Sequence, residues 1–397
     1  MEVANSTLLC QYNEQLLLEW KMVFVGVVGL ITAILSIVHN CLLYYSFVTS
    51  HSLKKRKLTY LKWISLCDIF VSLSYIAIMC VQVYVDYFKS LFLFYMWHTY
   101  LVVAFTVSHI TFTSSSYLLM AATIERYLQT TADTRSTAVF HCLRNHRSLV
   151  VLISFLAGII LRGTVFFEIV IQTEPQCTDF SSMWADTSDL TSSPLFDLIW
   201  KFWIRKLLTV FLPFVVLAYF NIRIVMNVRK TERDSTVKTL ILYVTVGPKG
   251  EVARLHSRLG TVTRMLVMVV CTYLLSNVID VLIAIWENVD FQSLLSFQEA
   301  YTVASDVSSF LPILACALRL PIYALNDHQI SYEVRKSLCH LSGCTHPREE
   351  FIPIHPPHLS QKNSIDARFG LGSLIMARAT VVHSRVEGIE CTDSVVL

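Results

Sequence analysis

Apolar and polar residues follow one another along this chain in long blocks, not in the short periods of a water-facing fold. Seven blocks are strongly apolar: Met22–Val48, Leu58–Val85, Phe94–Arg126, Leu149–Ile171, Leu195–Val225, Val262–Trp286 and Ala300–Leu325. Each is long enough to cross a hydrocarbon core, which takes about 20 residues of helix. The runs are continuous, whereas barrel strands alternate, so the predicted spanning element is the helix. Among the charges that interrupt them are Asp68 in the second block, Arg162 and Glu168 in the fourth, and Asp306 and Arg319 in the seventh. The pattern predicts an all-α membrane protein, a seven-transmembrane helix bundle with a short amphipathic cytoplasmic helix after helix seven.

Composition sharpens the class. Charged residues make up 15% and hydrophobic residues 54% of the 397, with a mean hydropathy of +0.55. A soluble domain carries about 25% charged residues, so a water-soluble fold is excluded. The formal charge of +3 is unremarkable, because the asymmetry between the two sides carries the information, and no nucleic-acid partner is expected.

Lys and Arg set the orientation. They crowd the connections after the first block (Lys54, Lys55, Arg56, Lys57), the third (Arg135, Arg144, Arg147) and the fifth (Arg229, Lys230, Arg233, Lys238, Lys249, Arg254, Arg258). The connections Gln172–Pro194 and Glu287–Glu299 hold neither. The chain is therefore expected at the plasma membrane as a multi-pass protein with its N-terminus outside. Residues 1–21 form the expected extracellular N-terminus, 22–338 the seven-helix domain and 339–397 a disordered cytoplasmic tail rich in Pro, His and Ser. No cleaved signal peptide is expected.

Smaller signals fit that topology. Asn5-Ser6-Thr7 is a glycosylation sequon. Asn326-Asp327 is placed to cap a helix running to about Leu338. Cys339 and Cys344 follow it and read either as palmitoylation sites among membrane lipids or as free thiols. Val395-Val396-Leu397 suits a PDZ-type partner at the C-terminus. The long connection after block five reads as a basic extension of helices five and six, broken near Gly247–Gly250.

The third block ends Ala121-Ala122-Thr123-Ile124-Glu125-Arg126-Tyr127. This resembles the Asp/Glu-Arg-Tyr signature of rhodopsin-like (class A) G-protein-coupled receptors. In that family the arginine is held by the neighbouring acid until a heterotrimeric G protein offers a better partner. Asn40, Asp68, Ser115, Pro213 and Tyr323 match family positions in order, and Tyr323 stands where the helix-seven Asn-Pro-x-x-Tyr motif ends. Tyr117–Tyr127, Phe166-Phe167-Glu168 and Pro213…Asn221-Ile222 further resemble invertebrate FMRFamide-type neuropeptide receptors. The resemblance implies an extracellular ligand, a cationic amidated peptide, and a G-protein partner.

The chain also departs from the family. The helix-three cysteine position holds Leu101, so the family pairing leaves Cys177 to Cys80 or Cys10. The helix-six Cys-Trp-x-Pro becomes Ser276-Asn277-Val278-Ile279, without tryptophan or proline. Arg319 occupies the place of the helix-seven asparagine. A lone charge at a helix centre costs about 2.5–3.5 kcal/mol on insertion scales. Arg319 is therefore expected to pair with Asp68 and fill the space of a sodium ion, the alternative being that it snorkels toward the cytoplasm.

The outer connections are acidic, with Glu174, Asp179, Asp186, Asp189, Glu287, Asp290 and Glu299, and would draw in a cationic ligand. Glu168 is the expected counter-ion for its arginine. Trp200, Arg205, Asn277, Trp286 and Glu287 complete the candidate ligand contacts, although tryptophans at this depth also serve as interfacial belt residues. A small-molecule chemosensory receptor is the competing reading, and a seven-span channel or transporter the more distant one. An enzyme is not indicated, because no metal cluster, phosphate loop or nucleophile motif is present. A retinal pump is excluded by the absence of Lys between Lys249 and Lys336. No cofactor is expected.

Overall fold

The structure is a computed structural model and describes residues 15–56, 58–130, 141, 143, 145–193, 196–246, 251–289 and 296–341. The chain divides into two units, Met1–Cys344 and Thr345–Leu397, and the second lies wholly outside the described residues. So do Asn5, Cys10, Cys344, Val395-Val396-Leu397 and the side chain of Glu287.

Among the described residues, seven helices are long and apolar enough to cross a membrane. They are α1 (Leu18–Thr49), α2 (Thr59–Phe88), α3 (Leu91–Thr130), α4 (Arg147–Glu168), α5 (196–246), α6 (Glu251–Val289) and α7 (Gln298–Asn326). An eighth, α8 (His328–Leu341), follows. The extension of α5 to Val246 and the start of α6 at Glu251 make most of the long basic connection helical.

The polarity is that of a membrane protein. Val23, Ile31, Ile160, Val215 and Leu275 are exposed, while Ser36, Asn40, Asp68, Ser72 and Arg319 are buried. In water such apolar exposure would be untenable, whereas lipid covers it without cost and leaves polar groups to find partners inside the bundle. The chain is a multi-pass membrane protein.

Close packing depends on small residues where helices touch. A Cβ on Gly29 of α1 would stand 2.5 Å from the Tyr75 hydroxyl of α2, and one on Gly158 of α4 would stand 2.9 Å from the Ile110 carbonyl of α3. Wide π turns need a different accommodation. At Ile76–Cys80 the α2 backbone is π-helical, and α3 supplies donors to it: Tyr100 OH to Ala77 O at 2.8 Å and Trp97 Nε1 to Ile78 O at 3.0 Å. In α7, Pro321 has no N–H to give the Ala317 carbonyl. His39 of α1 fills that place at 2.8 Å, which puts the ring proton on Nδ1.

The two ends of the bundle differ. At the end bearing the basic connections, Asp327 caps α8 by accepting from Gln329 N at 3.0 Å and Ile330 N at 3.2 Å. Arg56 Nη2 binds its other oxygen at 2.6 Å. Burial alone would raise the Asp327 carboxyl, but the Arg56 bond and charge, with the two backbone donors, hold it below the usual carboxylate range. At the acidic end, α4 stops at Glu168, three residues earlier than expected. The β-branched run Ile169-Val170-Ile171 favours extended backbone. It forms β1 (Ile169–Thr173), antiparallel to β2 (Met183–Thr187), with Ile169 opposite Thr187.

Candidate functional site

Three groups of polar side chains stand out, at the middle of the bundle and near each end.

In the middle, Arg319 Nη1 of α7 lies 2.6 Å from Asp68 Oδ2 of α2, with side chains 5% and 1% exposed. The contact is an ion pair without the alignment of a hydrogen bond, and Arg319 Nε finds no acceptor among the described residues. Ser115, Ser116 and Tyr273 share their cavity, which is about 10 Å³ in volume. A single water needs about 10–15 Å³, so the pair leaves little room beside it. Asn40 sits one helix away, donating to Ser36 O at 2.9 Å and Cys316 O at 3.1 Å, which ties α1 to α7. Tyr323, 2% exposed, lies one turn beyond Arg319.

Near the basic end, the expected Glu125–Arg126 pair is not formed. Glu125, 3% exposed, is gripped by Arg147 of α4, whose Nε donates at 3.1 Å and whose Nη2 also binds it. Arg126 donates instead to Gln129 Oε1 at 2.8 Å, and Gln129 Nε2 reaches Glu125 at 2.8 Å. Adjacent helical residues point about 100° apart, so Glu125 faces α4 while Arg126 follows its own helix to Gln129. Tyr127 packs on Phe220 of α5 at 5.0 Å between ring centroids.

Near the acidic end, Glu168 is already engaged by Arg205 Nη1 of α5 at 2.5 Å, side chains 6% and 12% exposed. It is therefore not a free counter-ion, and two of the expected ligand contacts satisfy each other. Trp200 Nε1 donates to Thr164 Oγ1 at 3.2 Å. Asn277 turns its amide to its own helix, donating to Tyr273 O at 2.7 Å. Trp286 is half-buried on α6 and Trp203 is exposed, as a belt residue would be. Cys80 is a buried free thiol donating to Val25 O at 3.4 Å. It is not the partner of Cys177, which is disulfide-bonded. Cys339 is a partly exposed thiol.

Sequence reading missed several members. Arg147 counted only as a loop arginine. Arg162 counted only as an interruption of the fourth block, yet its Nη2 donates to Thr209 Oγ1 at 2.8 Å. Lys21 of α1 pairs with buried Asp306 of α7 at 3.4 Å. The signal was present in Arg162 and Asp306, since an ionisable residue inside a span is rarely idle.

The fold is that of a rhodopsin-like seven-helix bundle. A crystal structure of squid rhodopsin superposes with a TM-score of 0.56 over 85% of this chain and 90% of that one, at 15% identity. No family model matches the chain, and no curated protein matches it.

Proposed function

We propose that this chain is a receptor that binds an extracellular ligand and activates a heterotrimeric G protein. One observation carries the reading. In a rhodopsin-like fold, Arg126 stands at the basic end of α3 and, among the described residues, donates to Gln129, while Arg147 holds Glu125 in an ion pair. An arginine released from its neighbouring acid is available to an incoming partner.

In this reading the basic connections face the cytoplasm and the acidic hairpin faces outward, as the distribution of Lys and Arg favours. Cys177 is bonded to Cys10, Asn5 carries a glycan, and Cys339 and Cys344 carry palmitate. The FMRFamide-like ligand keeps its support from exposed Asp179, Asp186, Asp189 and Glu299 and half-buried Glu174, which would steer a cationic peptide. It loses the support of Glu168, since Arg205 fills that role. A small-molecule ligand is the second reading, favoured by the polar cluster between α4 and α5.

The test is a second-messenger assay in cells expressing the full chain with a promiscuous G protein, challenged with amidated peptides and with small organic acids. A saturable response that Arg126→Ala abolishes at unchanged surface expression supports the receptor. Silence across both panels with surface expression confirmed counts against it.

A further inference from the structure

Between α3, α4 and α5, in the acidic-end half of the bundle, charged side chains meet whose charges do not cancel. Glu168 is matched by Arg205. Arg162 forms no ion pair of its own among the described residues. Its Nη2 binds the hydroxyl of Thr209, which gives its own proton to Arg205 O at 2.9 Å and balances no charge. Its Nε is buried and has no hydrogen-bond partner. Arg162 feels the charges of Arg205 and Glu168, and both arginines act on His109 of α3. Two guanidinium groups against one carboxylate leave one positive charge among the described residues.

That charge has no ordinary way out. An arginine keeps its proton at any cellular pH, so burial cannot neutralise it as it would a lysine. Snorkelling to the membrane surface is also closed, because Nη2 is tied to Thr209, itself 3% exposed. Arg162 is half-buried, and an uncompensated ion withdrawn even partly from water is unfavourable. An anion resting on the guanidinium would remove that cost.

We propose that Arg162, with Arg205 as the second cation, forms a binding site for one small monovalent anion, a carboxylate or a halide. A single negative charge brings the cluster to neutrality, and a divalent anion would overshoot it. A guanidinium presents paired N–H groups along its edges and grips carboxylates through parallel hydrogen bonds. The site goes beyond the receptor reading and does not depend on it, because anion binding is measured without signalling.

The full chain, purified in phosphatidylcholine nanodiscs, is melted in sodium sulfate that is replaced stepwise by sodium acetate or sodium chloride at constant ionic strength. The expected result is a saturable rise in melting temperature with at least one monovalent salt. A rise with acetate alone assigns a carboxylate, and a rise with chloride assigns a halide. Glu168→Gln, which leaves both arginines uncompensated, should tighten the half-saturating concentration tenfold or more. Arg162→Gln should give a flat response. Equal responses in the native chain and Arg162→Gln would overturn the site, as would no response in the native chain. Should Arg162→Gln fail to fold, Arg162→Lys keeps the charge and loses the edge. Tenfold weaker acetate or chloride binding there supports the site, and unchanged binding overturns it.

Discussion

Arg319 of α7 stands 2.6 Å from Asp68 of α2 in the middle of the bundle, and both side chains are almost wholly enclosed. Removing one partner strands the other. Breaking a buried pair costs about 3–5 kcal/mol, whereas replacing both charges is close to neutral. Asp68→Asn alone and Arg319→Asn alone should therefore lose most surface expression, and the double variant should regain it. Flow cytometry of an epitope-tagged chain reads this directly. A double variant no better than either single one would count against the pairing.

Glu125 and Arg147 clamp α3 to α4. A double-mutant cycle with Glu125→Ala and Arg147→Ala should show a coupling of about 0.5–3 kcal/mol in thermal stability. The same cycle on Glu125 and Arg126 should show a smaller coupling, because those two are bridged by Gln129 and form no direct hydrogen bond among the described residues. Larger coupling in the second cycle would reverse the assignment.

Asp327 gives the cap of α8 a dependence on pH. Its folded carboxyl is held below the ordinary value, so its contribution is full above the unfolded pKa of about 3.9 and is lost as pH falls through the lower folded value. Amide exchange at Gln329 and Ile330, corrected for intrinsic rate, should stay slow down to about pH 4 and accelerate below it. Asp327→Ala should show fast exchange at both amides throughout. Slow exchange in that variant would assign the protection to helix packing instead.

Gly158 lets α4 lie against α3. A Cβ there would meet the Ile110 carbonyl at 2.9 Å, and backbone yields less readily than a side chain. Gly158→Ala should cost about 1–3 kcal/mol as overpacking, read as a lower melting temperature in detergent. Ile159→Ala, on the exposed flank, should change it far less.

The residues explain which parts of this architecture were legible beforehand. Spans were legible because hydrocarbon thickness demands long apolar runs whatever the packing. The Asp68–Arg319 pair was legible because both charges lie deep within apolar spans, and a charge at that depth calls for a partner. The Glu125 partner was not, because Arg147 lies beyond a loop and looks like any other basic loop residue. Glu168 and Arg205 were both singled out, but each was read as facing a ligand, and one-dimensional order does not show that α4 and α5 bring them together. The hairpin was hidden because Ile169-Val170-Ile171 continues the apolar run of α4. Only its β-branched character marks the change to extended backbone.

The placement of Asp68 and Arg319 also bears on how the chain is made. Asp68 enters the bilayer with the second helix, while its counter-charge emerges from the ribosome only with the seventh. Throughout the intervening synthesis the second helix holds an unmatched acid in lipid, shielded by water defects or by its proton. The last span thus acts as the latch of membrane assembly. A chain truncated before Arg319 should be retained by quality control even though six of its helices insert, and supplying the seventh as a separate fragment should release it.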